Sequence, residues 1–369
     1  MSLIQYLSRI QFDDGAISVL ADEISALGLK RPLLITDKGI EGSGILERVL
    51  DAARPHQPVV YTGTTENPTE RSLRECMELW SAHGCDGAIA LGGGSPIDLS
   101  KAVALLASHG GSLADYNVKT GGSAGIGKVA PQIAIPTASG TGAEVGRACV
   151  MTLDNGRKCV AVSLNMVADT IIADPELTLS LPARLTAATG IDALSHCVET
   201  YLSPSFNPPA DAIALDGLSR AARWLRIAVE DGGNREARRE MMMASLMGGM
   251  VLQKGLGAAH AMATPLGEHH HHHGTLIGIL LPHVLRYNAD AVPVRMSDLE
   301  KAAGTSLAMS DWVGELVSAV GLPGKLSDLG ETGEAYGEIA EKAKADHLTL
   351  TNPKKVDVED YLKLLRGAL

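Results

Sequence analysis

The stretch CDGAIALGGGSPIDLSKAVALLA, residues 85–107, limits the fold of this chain more than any other. An apolar run of strand length passes without a break into three glycines, then into a segment of helical periodicity with Pro96 near its start. A strand buried on both faces, followed by a tight turn and a helix, is the unit of a parallel sheet covered by helices. RPLLITDKG, QPVVYTG and QIAIPTASGTGAE carry further strands, and the last also ends in a glycine loop. The first half is therefore expected to be α/β. Its glycine turns should lie at the carboxyl edge of the sheet, where such folds bind ligands.

After IIADPELTLSLP the pattern changes. TAATGIDALSHCVETYL, ADAIALDGLSRAARWL, REARREMMMASLMGGMVL and GTLIGILLPHVLRYN all follow the helical period, and Pro175 and Pro182 punctuate the junction. The expected division is residues 1–179 as a nucleotide-binding α/β domain and 180–369 as an all-helical, metal-binding domain. A chain of 369 residues is long enough for two domains. Its net charge of -11 argues against nucleic acid or an anionic membrane surface as partner. No segment has the apolar length of a membrane span, and the five cysteines include no CxxC pair, which suits reduced thiols in a cytoplasm. Cys197 is expected to serve core packing.

Two glycine loops carry the cofactor reading. Gly93, Gly94 and Ser95 open the helix after GAIAL, so their backbone N–H groups suit a pyrophosphate, with Asp98 and Lys101 on the same helix. Thr137 and Ala138 begin the second loop, TASGTG. Asp37 follows an early strand, where a carboxylate can accept from an adenosine ribose and repel a 2′-phosphate, so NAD is preferred over NADP. The alternatives are a turn that needs glycine only for its backbone, and an Asp37 that merely caps the next segment. GGSAGIGKV imitates a phosphate-transfer loop, but Val129 stands where Ser or Thr belongs, and no buried strand precedes it.

The metal reading starts from Asp192 and His196, four apart in a helical segment and hence one turn apart on one face. His260 and a histidine at the end of the run His269–His273 would complete a carboxylate-and-imidazole set suited to Fe(II) or Zn(II). Each alone is an ordinary core or helix residue. The adjoining Gly274 favours His273 as the fourth ligand, with His272 as competitor. His269, His270 and His271 are expected in a solvent loop with incidental metal affinity.

Taken in order, GGGSPIDLSKAVA, IPTASGTGAEV, DPELTLSLP, TGIDALSHCVETYLS, GLGAAHAMATPLG and HGTLIGILLPHVLRYN resemble the iron-containing (group III) alcohol dehydrogenase family over nearly the whole chain. The resemblance implies a Rossmann-like NAD-binding domain, an all-α domain (the dehydroquinate synthase-like fold), and a metal in the cleft between them. It implies Asp192, His196, His260 and His273 as metal ligands, through which catalysis runs. It implies cofactor contacts at Asp37, Gly93, Gly94, Ser95, Asp98, Thr137, Ala138 and Lys158, a small alcohol or aldehyde substrate, and a homodimer. Many relatives carry a second histidine four residues after the one matched by His260; here Thr264 stands in that place. The interval from Gly267 to the histidine-glycine pair is also one residue shorter than in relatives.

Arg147 and Lys254 flank these motifs and are candidates for holding an acidic substrate such as 4-hydroxybutyrate or succinic semialdehyde; structural ion pairs are the alternative. Rival readings are a glycerol dehydrogenase-like polyol oxidoreductase, a dehydroquinate synthase-like lyase, and a non-catalytic histidine-rich metal carrier.

Overall fold

The computed structural model describes residues 4, 6 and 8–369, which divide into two compact units. One holds residues 6–138 and 143–180; the other holds 181–369 together with Ser139–Gly142, a piece of the second glycine loop.

The first unit is built on a six-stranded, all-parallel sheet. Its strands are β1 (Ile10–Phe12), β2 (Pro32–Ile35), β3 (Val59–Tyr61), β4 (Gly87–Gly92), β5 (Gln132–Pro136) and β8 (Thr170–Ala173), in the order β1-β8-β5-β4-β2-β3. A separate antiparallel hairpin pairs β6 (Ala148–Thr152) with β7 (Lys158–Val162). β2, β4, β5 and β8 are buried residue by residue, which is why they read as continuous apolar runs rather than alternating ones. Leu33 and Ile35 pack on one face with residues of α4 (Glu70–His83) and α5 (Gly94–His109). Leu34, Ile89, Leu91, Ile133 and Ile135 pack on the other with α1 (Leu20–Ala26) and α3 (Ile45–Ala52). From β2 the chain moves outward to β3 and then returns to the opposite side of β2 with β4. Strand order therefore reverses between β2 and β4, and α2 (Lys38–Gly42) and α5 start there.

The second unit contains no strand among the described residues. The long helices α6 (Ala183–Leu202), α7 (Pro208–Glu230) and α8 (Arg235–Val251) pack on one another, with α9 (Ala258–Leu266), α10 (His273–Asn288), α11 (Pro293–Ala303), α12 (Met309–Ala319), α13 (Tyr336–Ala345) and α14 (Val358–Gly367) completing one apolar core. Cys197 belongs to that core, and all five cysteines are buried free thiols. Among the described residues no helix is long and apolar enough to cross a membrane.

Candidate active site

α6 is buried along almost its whole length, and Asp192 and His196 lie one turn apart on it. α9 supplies His260 and the first turn of α10 supplies His273. The Nε2 atoms of His196, His260 and His273 lie 3.5, 3.6 and 3.6 Å from a single atom, Asp192 Oδ1. These are too long for hydrogen bonds. They match the roughly 3.3–3.6 Å edge of a tetrahedron whose bonds to a central ion are about 2.0–2.2 Å. Asp192, His260 and His273 each place a ligand atom within 4.8 Å of the other two, and His196 joins them with its ring stacked on His260, centroids 4.8 Å apart. Asp192 Oδ1 and His260 Nε2 are buried without a hydrogen-bond partner. Buried polar atoms rarely stay unpaired, so the donor set fits a cation.

Gly274 explains the histidine-glycine pair. A Cβ there would stand 2.0 Å from the Ala188 carbonyl oxygen, so only glycine lets α10 close on α6 and bring His273 to Asp192. His272 stands at the N-cap position of α10, where its side chain makes no cap hydrogen bond, and the three-residue cluster Asp192, His260 and His273 does not include it.

Two residues hold these groups in orientation. Glu199, buried on α6, accepts from His260 Nδ1 and from the Ala259 N–H at 2.9 Å. That fixes the tautomer with Nε2 turned toward Asp192. Gly257 is required here, because a Cβ would lie 2.8 Å from Glu199 Oε1. Thr141 donates its hydroxyl to Asp192 Oδ2 at 3.2 Å, leaving Oδ1 for the cluster. Burial pushes His196 and His273 down to about 4 against the pull of Asp192, so both are neutral donors at pH 7. His273 keeps 44% of its side chain exposed, whereas His196 keeps 3%. Burial also opposes charge on His260, but Glu199 and Asp192 outweigh it and raise it to about 9. Burial pushes the Asp192 carboxyl up, and the imidazoles, His196 first, hold it far below the usual carboxylate range.

In the sheet unit, Gly92 pairs with Pro136, and the Thr137 N–H donates to the Gly92 carbonyl at 3.1 Å, so both glycine loops leave the same sheet edge. No side chain caps α5 at Gly93, which leaves its first-turn N–H groups for an anion. A Cβ on Gly93 would meet nothing nearer than Ala138 Cβ at 3.9 Å. Asp37 caps α2 through the Ile40 N–H at 3.0 Å, and its other oxygen faces Gly92. Ser95 donates to the Glu66 carbonyl, and Lys158 donates to Asn67 Oδ1 at 2.6 Å. Asp98 accepts the Val150 N–H at 3.0 Å; burial raises it to about 6 against the pull of Lys101 and Lys158. The Gly122–Lys128 segment forms a short 3-10 turn and loop, with no strand leading into it.

Residues 8–175 match the model of the iron-containing alcohol dehydrogenases, and residues 186–369 match that family's C-terminal domain. The chain belongs to the iron-containing alcohol dehydrogenase family. It is an enzyme that interconverts alcohols and their carbonyl counterparts. It is 44% identical to the 4-hydroxybutyrate dehydrogenase of Cupriavidus necator, with all of both chains covered. The crystal structure of a 1,3-propanediol oxidoreductase superposes with a TM-score of 0.94 at 34% identity, again over both whole chains. A sulfoacetaldehyde reductase from Bifidobacterium kashiwanohense, solved in complex with NAD+, gives 0.91 at 30% identity, covering 100% of this chain and 99% of that one.

In this iron-type dehydrogenase Lys254 is committed to the fold. It is buried, and its ammonium donates to the Thr200 and Tyr201 carbonyls at 2.9 and 3.0 Å and to Asp211, so it closes the end of α6. All three of its protons are taken, and the structural ion pair is the role the geometry supports. Arg147 is an exposed residue of the sheet unit. Thr264 donates its hydroxyl to the His260 carbonyl at 3.0 Å, one turn back on α9. Glu199, Thr141, Glu66 and Asn67 take roles that the sequence motifs do not name. Glu199 alone carried a signal, standing three residues after His196 and seven after Asp192 on the same helix face.

Proposed function

We propose that this chain is an NAD(H)-dependent dehydrogenase with Fe(II), alternatively Zn(II), held by Asp192, His196, His260 and His273. The convergence of three imidazole Nε2 atoms on Asp192 Oδ1 carries the reading. A divalent ion bound there would polarise the substrate oxygen and favour the alkoxide over the alcohol. The chain's own groups orient the site. Glu199 keeps the His260 Nδ1 proton away from the cluster, Thr141 keeps Asp192 from rotating, and Gly274 keeps His273 within reach. With its hydroxyl tied to the backbone, Thr264 leaves proton transfer to solvent or a cofactor ribose hydroxyl.

Gly93, Gly94 and Ser95 at the start of α5, with Thr137 and Ala138, would bind the pyrophosphate; Asp98 and Lys158 would flank it, and Asp37 would favour NAD over NADP. The substrate is a small hydroxy acid and its semialdehyde, supported by the likeness to 4-hydroxybutyrate dehydrogenase. Arg147 is the remaining candidate for its carboxylate, since Lys254 is committed elsewhere. A neutral diol is the second reading, favoured by the likeness to 1,3-propanediol oxidoreductase. The protein is taken as a cytoplasmic homodimer, to be checked by light scattering.

The deciding assay follows NADH and NADPH oxidation with succinic semialdehyde and 3-hydroxypropanal, with Fe(II) or Zn(II) restored to chelator-treated protein. Metal-dependent turnover with NADH and a preference for the semialdehyde is expected. Undiminished turnover in the stripped protein would overturn the metal reading, and preference for the neutral aldehyde would favour the diol.

A further inference from the structure

The histidine run connects α9 to α10, and its backbone is unusual. His270 has φ 65°, and it is the one non-glycine residue at positive φ among the described residues. Strain of this kind persists where surrounding contacts hold it, and it gathers at functional positions. The left-handed turn at His270 brings its two neighbours to one place. His269 Nδ1 and His271 Nε2 lie 2.8 and 2.7 Å from the same Glu331 Oε1, with the two rings nearly perpendicular. The Glu331 side chain is only 8% exposed, whereas His269 is 38% exposed. One ligand atom from each of the three residues lies within 4.8 Å of the other two. The nearby acids Glu268 and Glu338 are both paired with Lys342 at 2.8 Å, so they do not belong to the cluster.

We propose that His269, His271 and Glu331 form a second divalent-metal site, of zinc class, distinct from the Asp192 cluster. Two imidazoles and one carboxylate are a recurrent zinc donor set that leaves a position open, and the exposed edge of His269 supplies a route for entry. Without metal, two ring N–H groups donate to one buried carboxylate oxygen. With metal, each neutral ring would carry its proton on the other nitrogen, Nε2 of His269 and Nδ1 of His271, by exchange with solvent, and offer the freed lone pair to the ion. Such an ion would tie the α9–α10 connection to the segment before α13, and so brace the first turn of α10. The inference does not depend on the function proposed for Asp192, His196, His260 and His273.

The test uses the full chain, untagged and purified without a metal-affinity step. The protein is stripped with chelator, titrated with Zn(II) against a chromophoric chelator, and its bound metal counted by mass spectrometry. Two equivalents are expected in the wild type. Glu331→Gln and the pair His269→Ala/His271→Ala should each weaken one equivalent by more than the roughly 10–100-fold that changing an outer partner costs, and leave the other intact. His260→Ala should remove the other equivalent and keep the one that Glu331→Gln removes. The pair His270→Ala/His272→Ala should keep both, which separates this site from general histidine affinity. Glu331→Gln is close to isosteric and decides the matter if the double alanine variant does not fold. A single equivalent in the wild type that survives Glu331→Gln would overturn the site, as would two equivalents retained in both variants. A single equivalent that Glu331→Gln abolishes would sustain this site and overturn the Asp192 one.

Discussion

The helical centre and the glycine edge offer opposite kinds of groups. The centre presents side chains: one carboxylate oxygen and three imidazole nitrogens, mostly buried and in part left without partners by the fold. The edge presents backbone, and the polar side chains around it are largely occupied with the fold itself, Ser95 with Glu66, Lys158 with Asn67 and Asp98 with Val150. The centre should therefore be sensitive to which side chain stands at each position, and the edge to whether any side chain stands there. Changing Asp192 to Asn or His260 to Ala should lower kcat/KM by at least about 10³-fold, since a bound cation contributes several kcal/mol of charge stabilisation. NADH binding, followed by fluorescence titration, should stay within a few-fold. A parallel collapse of NADH binding would break the distinction.

Glycines sharpen the contrast, because the same atom added in two places should do different damage. A Cβ at 274 meets the Ala188 carbonyl oxygen at 2.0 Å, so Gly274→Ala must push α10 off α6 and carry His273 away from Asp192. A loss of about 2–4 kcal/mol in stability, together with lower metal occupancy, is expected from such overpacking. A methyl at 93 meets only Ala138, at 3.9 Å. Gly93→Ala should thus melt like the wild type, yet raise Kd for NADH about tenfold or more, which corresponds to 1.4 kcal/mol. An unchanged Kd would move the pyrophosphate elsewhere. Glu199→Gln probes orientation alone. It should weaken metal affinity by roughly 10–100-fold without removing a ligand, as measured by chelator competition.

Legibility in the sequence follows the same divide. Asp192 and His196 could be read because helical spacing places i and i+4 together, and β4 with its glycines because a doubly buried strand is an unbroken apolar run. The β6–β7 hairpin has strands of only five residues, so its alternation, with Cys149, Met151, Cys159 and Ala161 buried between less buried neighbours, is short, and Asn155-Gly156 marks the turn. β1 spans three residues and, among the described residues, pairs only with β8, so its sequence carries almost no period. Thr141, Glu66 and Asn67 act through contacts set by tertiary folding, which no local pattern encodes. The histidine run shows the same limit. Five identical residues give no phase, and only the left-handed turn at His270 separates His269 and His271, which share Glu331, from the rest.

The effect that depends most on pH concerns two buried acids with opposite fates. Asp192 stays ionised among imidazoles, whereas Glu144, 3% exposed in the sheet unit, is pushed up to about 7. Burial is the main cause; the Glu144 backbone N–H and Lys101 only partly offset it. Between the unfolded value of 4.5 and about 7, the folded protein holds a proton that the unfolded chain has released. Stability from this group is therefore full below about pH 4.5 and lost as pH rises through about 7. Glu144→Gln removes the ionisation and should stabilise the protein by about 1–3 kcal/mol at pH 8, with the difference from wild type shrinking toward zero near pH 4.5. Urea unfolding of both proteins at several pH values reads this directly. A difference that stays constant with pH would mean that Glu144 is ionised in the fold and that its charge has found a partner, as the charge of Asp192 has.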